Sequence, residues 1–195
     1  MEHSILHALQ SVGLLLALGG PLLVLAIVRP VCRDLGPSVE REKFAAGLEE
    51  SVKRWVFFGA LAAALGTFAD FFVQAAELQG KTVFSWVNLS LVEGLAGHTL
   101  IGQLSLSRAA ALLLAGAVVR SVGKGRWWLV LLLAGASTVL ANLVSHAAAQ
   151  PTGRPSAIAT QVIHLFGAAA WLGILIHLLA TRGDLKRARM PSPLP

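Results

Sequence analysis

The stretch Ser4-Ile-Leu-His-Ala-Leu-Gln-Ser-Val-Gly-Leu-Leu-Leu-Ala-Leu-Gly-Gly-Pro-Leu-Leu-Val-Leu-Ala-Ile-Val28 decides how the rest of the chain is read. It contains no Asp, Glu, Lys or Arg. About 20 helical residues cross a hydrocarbon core of about 30 Å, so this run is long enough to span a membrane. A secretory leader would open on basic residues and close on small ones. Here Glu2 and His3 come first, and the run ends at Arg29-Pro30. It predicts an uncleaved transmembrane helix.

Working outward, four further apolar runs follow, and the expected spans are 4–28, 52–76, 99–119, 127–149 and 157–180. The whole chain of 195 residues is 55% hydrophobic and only 13% charged, with a mean hydropathy of +0.70. A chain with so little polar surface cannot cover a water-soluble globule. Period-two alternation is absent, and backbone groups in lipid must be satisfied within each segment, so a β-barrel is not expected. The predicted fold is all-α, a polytopic transmembrane helical bundle forming one domain over 1–190. Residues 84–95 (Phe-Ser-Trp-Val-Asn-Leu-Ser-Leu-Val-Glu-Gly-Leu) are apolar but short and suit an interfacial helix anchored by Trp86. Residues 38–50 suit a surface helix, and 190–195 a disordered tail.

The net charge of +6 is unevenly placed. Thirteen of the 16 Lys and Arg residues fall in the first loop with the start of the second span, the third loop and the C-terminal tail. By the positive-inside rule the N-terminus is outside and the C-terminus cytoplasmic, in a multi-pass membrane protein. The basic excess therefore implies loop charge facing the lipid bilayer, and no nucleic-acid partner. The single Cys32 excludes an internal disulfide and a paired-cysteine redox site. No nucleophile-elbow, P-loop or zinc-protease motif is present, so enzymatic chemistry is not expected.

This topology places five of the six histidines, His3, His7, His98, His146 and His164, at or near the outer face. Imidazole is the commonest neutral ligand for copper, zinc, iron and nickel, and it is costly in lipid without a partner. A short connector makes helices four and five antiparallel neighbours, so His146 and His164 can approach one another. His98 precedes helix three. His7 shares a helix face with His3, where both are either solvated terminal residues or ligands. Each histidine is also open to a packing role, as a hydrogen-bonded group between helices. Asn142 and Thr160 stand one turn before His146 and His164 and can orient their rings. Asp70 and Arg108 lie inside spans, as a buried ion pair that sets helix register or as groups that handle a cation or proton. Gly19-Gly20-Pro21 allows a kink or a close helix approach, and Gly59, Ala63 and Gly66 make a small-residue face.

Ser145-His-Ala-Ala-Ala149, followed by His164-Leu-Phe-Gly-Ala-Ala-Ala-Trp-Leu-Gly173, resembles the copper resistance protein D family. Thr99-Leu-Ile-Gly102 with Arg108 is similar to that family's Thr-x-x-Gly…Arg helix. The resemblance covers about residues 95–180. Ile174 stands where a second glycine is usual, and Phe166 interrupts the common alanine run. The resemblance implies a protein of the bacterial inner membrane engaged in copper uptake, transport or homeostasis from the periplasmic side, with His146 and His164 as copper contacts and a periplasmic copper-binding protein as partner. Copper is thus the expected metal, held by His146 and His164 with His98 or His7. Haem b on the same histidines, in a b-type cytochrome-like subunit, is the alternative, and a structural subunit without cofactor is a third. A homo-oligomer would supply a pore between chains.

Overall fold

The computed structural model describes residues 2–36, 38–80, 89–121, 126–143 and 152–189. Among them all regular structure is helical. In chain order the helices are α1 (Glu2–Leu23), α2 (Arg29–Asp34), α3 (Val39–Leu78), α4 (Leu89–His98), α5 (Leu100–Arg120), α6 (Trp127–Asn142), α7 (Arg154–Ala168) and α8 (Ile174–Arg189). A π-helical turn, Val24–Val28, joins α1 to α2, and a second, Ala169–Gly173, joins α7 to α8. Four stretches are long and apolar enough to cross a membrane: Ser4–Asp34, Val39–Leu78, Leu100–Arg120 and Arg154–Gly183. Trp127–Asn142 is apolar but shorter. The remainder of the expected fourth span, 144–149, lies outside the described residues, as do 84–88 of the expected interfacial helix and the tail 190–195. Residues 89–95 form most of α4.

Local sequence explains the irregular points. The first π-helical turn closes with the Arg29 N–H bonded to the Val24 carbonyl, immediately before Pro30, which has no N–H to continue the ladder. Residues 39–50, expected as part of a separate surface helix, are instead the first turns of α3. No proline interrupts Val39–Leu78, Ser38 is extended at the N-cap, and Glu40 and Glu42 complement the helix dipole. At 40 residues α3 is about 60 Å long, twice the hydrocarbon thickness of about 30 Å. Its charged N-terminal part therefore projects beyond the apolar layer.

α1 is the axis of the bundle. In Ser4–Asp34, 61% of the most apolar window is buried, against 17% in Arg154–Gly183. Small residues let α1 approach its neighbours closely. On one side Gly13 meets Gly59 and Ala63 of α3, where an added Cβ at Gly13 would stand 2.6 Å from the Gly59 carbonyl oxygen. On another, Gly19 meets Gly173 of the second π-helical turn, where an added Cβ would lie 2.5 Å from the Gly173 carbonyl carbon. Gly20 sits under Val56 and His177. These pairs make α3 antiparallel to α1, and α7–α8 parallel to it. α5 packs on α3 through Gly116 against Phe57 and Ala60, with the Arg120 guanidinium 5.4 Å from the Phe57 ring centroid.

The two ends of the bundle differ in character. At one end lie α2, the start of α3, the end of α5 and the start of α6, with Arg29, Arg33, Arg41, Lys43, Arg120 and Arg126. Glu49 is the polar tie there. It accepts from the buried Trp127 Nε1 at 3.3 Å, and Arg29 Nε lies 3.5 Å from its other oxygen, so α2, α3 and α6 meet at one carboxylate. At the other end, the start of α1, the end of α3, the start of α5, the end of α6 and the start of α7 come together.

Candidate functional site

These five segments line an open cavity of about 800 Å³. α1 contributes His7, Gln10 and Ser11, and α3 contributes Asp70 and Gln74. α5 adds Ser105 and Arg108, α6 adds Asn142, and α7 adds Gln161. Below this polar upper part the wall is apolar, with Leu14, Leu18, Leu165 and Ala169. Helical spacing explains the convergence. His7, Gln10 and Ser11 sit at i, i+3 and i+4, Asp70 and Gln74 at i and i+4, and Ser105 and Arg108 at i and i+3. Each pair or triplet therefore presents one helix face.

The polar groups are held in place by bonds within and between helices. Gln10 Nε2 donates to the Gly66 carbonyl at 2.9 Å, which ties α1 to α3 beside the cavity. Gln74 Nε2 donates to Asp70 Oδ2 at 2.8 Å. The Asp70 carboxylate also acts electrostatically on the Arg108 guanidinium. Asn142, buried, donates from Nδ2 to the Thr138 carbonyl at 2.8 Å. The buried Arg108 Nε has no hydrogen-bond partner among the described residues.

Arg108 owes its position to the start of α5. Thr99 is the N-cap, and its Oγ1 accepts from the Gly102 N–H at 3.0 Å. The same hydroxyl donates to the Leu95 carbonyl at 2.6 Å, which clamps the end of α4 onto the start of α5. A Cβ at Gly102 would collide with that Leu95 carbonyl. The Thr-x-x-Gly element is thus a capped helix start that needs a side-chain-free third position. It places Ser105 and Arg108 one and two turns further along the same face, towards the cavity.

Residues 3–157 match the family model described as copper resistance protein D-like, N-terminal domain. The chain belongs to this family. It is a multi-pass membrane protein of the copper-resistance type. The matched stretch takes in α1 to α6, so it covers the first two helices, which the resemblance over 95–180 did not reach. It stops four residues into α7, before His164 and the His-Leu-Phe-Gly run. All cavity residues on α1, α3, α5 and α6 lie inside the family domain. No curated protein and no solved structure matched the chain.

Within this copper-resistance fold the expected site residues are dispersed. His7 is exposed at the mouth of α1 and lines the cavity. His98 is the exposed last residue of α4, and His164 is exposed on α7; neither is among the residues that line the cavity. Thr160 is likewise exposed on α7. His146 lies outside the described residues, four positions beyond Asn142 in the sequence. Asp70 and Arg108 are brought together, at the cavity. Among the described residues no group of three or more His, Cys, Asp or Glu is placed to hold a metal ion.

The amides Gln10, Gln74 and Gln161 line the cavity beside the singled-out Asp70, Arg108 and Asn142. Their signal was present as carboxamides inside apolar helices, on the same faces as His7 and Asp70. His177 is fully buried, and its Nε2 lies 2.9 Å from the Leu16 carbonyl of α1. It is a hydrogen-bonded link between the last helix and the central one.

Proposed function

We propose that this protein binds copper at the outer, periplasmic face of a bacterial inner membrane and hands it inward or holds it there, without catalysing a reaction. The observation that carries the proposal is the family match over α1 to α6, the elements that supply most of the polar cavity. The chain would be oriented with its basic end in the cytoplasm and the cavity end outside, and five spans follow if the segment after α6 completes the fourth. Copper is then cargo. It would come from a periplasmic copper-binding protein, and imidazoles at that end, His7 and His146 with His98 or His164, would receive it. Haem is the weaker alternative. A bis-histidine site needs two rings from different helices in one pocket, and of the described histidines only His7 lines the cavity.

Copper content and affinity of the purified full chain test this directly. His146→Ala is expected to weaken copper binding by about a hundredfold, because losing a ligand costs at least as much as losing the group that orients one. An unchanged copper content in His146→Ala and His7→Ala together, with an unchanged copper tolerance of the cells, would rule out histidine capture. An intense Soret band in the purified protein would favour haem instead.

Orientation has its own test, since Cys32 is the sole cysteine and sits half-buried on α2 at the basic end. A membrane-impermeant maleimide is expected to label it only after the inner membrane is permeabilised. Labelling in intact spheroplasts would reverse the topology.

A further inference from the structure

The size of the cavity and its charge balance point beyond a bare metal ion. A volume of about 800 Å³ is that of a small-molecule site. The one carboxylate among the described cavity residues, Asp70, already accepts from Gln74 and is countered by Arg108. The formal charges of the described lining residues therefore cancel. A naked cation entering from water would lose hydration and meet no net opposing charge.

What the cavity does offer is an unused donor. A guanidinium presents five N–H groups in a planar fork, and the edge formed by Nε and one terminal nitrogen pairs with both oxygens of a carboxylate. The Arg108 Nε is buried and has no hydrogen-bond partner among the described residues. Leaving such a group unpaired costs the full desolvation of a charged donor, so a ligand that reaches it is strongly favoured. Beside it, the amides of Gln10 and Gln74 commit an N–H each to Gly66 and Asp70, and bring carbonyl oxygens that suit a ligand with N–H donors. A carboxylate on Arg108 and an amine or imidazole N–H near the amides together describe an amino acid.

We propose that the cavity holds a carboxylate on Arg108, and, resting on the copper function above, that copper released by its protein donor is held there as an amino-acid chelate whose own nitrogens ligate the metal. The metal would then not need three protein ligands in one place, and His7 or another imidazole at the mouth would suffice to complete its shell. The carboxylate source is either such a chelate or a free amino acid.

Binding to the full chain in lipid nanodiscs separates these cases with three probes. They are copper(II) with L-histidine, copper(II) with histamine, which is the same ligand without its carboxylate, and metal-free L-histidine. The histidine complex is expected to bind about tenfold or more tightly than the histamine complex, the usual worth of a hydrogen bond to a charged group. Arg108→Lys keeps the charge opposite Asp70 but lacks the Nε fork, and is expected to erase the difference. The ligand pair needs no variant, so the comparison stands even if Arg108 variants fail to fold. Equal binding of the two copper complexes by the wild type would overturn the carboxylate site and leave copper capture intact. Arg108-dependent binding of metal-free histidine with no binding of either copper complex would support the carboxylate site while the copper function fails. No binding of any probe would overturn the carboxylate site, while the copper content of the purified full chain decides the copper function on its own.

Discussion

Gly19→Leu is expected to abolish the folded bundle, and Gly19→Ala to destabilise it by about 3 kcal/mol, at the upper end of the usual cost of overpacking. The reason lies in what the new Cβ would meet. Its nearest atoms are the carbonyl carbon and Cα of Gly173, at 2.5 and 2.6 Å, which are backbone and cannot rotate away. The second π-helical turn would have to move off α1, and the α8 contacts below it would follow. Gly167 on α7 is the control, because a Cβ there meets nothing within 4 Å. Gly167→Ala is expected to change stability by less than about 0.5 kcal/mol, as surface substitutions do, with a gain in helix propensity if anything. Denaturant unfolding in mixed micelles measures both. Equal stability of Gly19→Ala and wild type would show that the glycine contact does not hold the last helix.

His177→Ala is expected to cost about 2–4 kcal/mol, most of it from the void left by a fully buried ring and the rest from the lost bond to the Leu16 carbonyl. His177→Leu fills much of that volume without a hydrogen bond, and is expected to cost about 1–2 kcal/mol, in line with interhelical bonds in membranes. The difference between the two separates packing from hydrogen bonding. His177 is not among the residues that line the cavity, so copper binding by either variant should remain that of the wild type once folded. A copper defect in a folded His177→Leu protein would give this residue a part in metal passage.

The helical membrane character was legible because it depends on local quantities. Runs such as 4–28 declare themselves by length and lack of charge, whatever surrounds them. The segregation of basic residues was legible for the same reason, since alternating spans carry alternate loops to opposite ends. Asp70 and Arg108 could be singled out because an ionised group inside an apolar run is expensive and demands a partner. The capped start at Thr99 was visible as a pattern, although its purpose, clearance for the Leu95 carbonyl, was not.

The candidate site was harder to read. Five histidines near one end suggested convergence, yet nearness along the membrane normal says nothing about rotation of each helix about its own axis. His98 and His164 share that end with His7 and remain off the cavity wall. Gln10, Gln74 and Gln161 carry a weak signal in the sequence, because a single amide in an apolar helix is chemically mild. They gain importance only when five helices turn those faces inward together. Residues 38–50 were split from the second span because their charge changes the composition, while the helix itself continues through them.

Sequence alone thus determined the class of fold, the separation of a basic end from a histidine-bearing end, and the family kinship. All of these follow from hydropathy, charge and short motifs, which act within one or two helical turns. The tertiary structure decided that α1 is the axis, that Gly19 meets Gly173, that His177 holds Leu16, and that Arg108 faces a shared cavity with a buried N–H to offer. Those facts depend on which face of each helix meets which neighbour. Lipid is as apolar as leucine, so the hydrophobic pattern that orients helices in water is silent here, and close packing between glycines makes the choice instead.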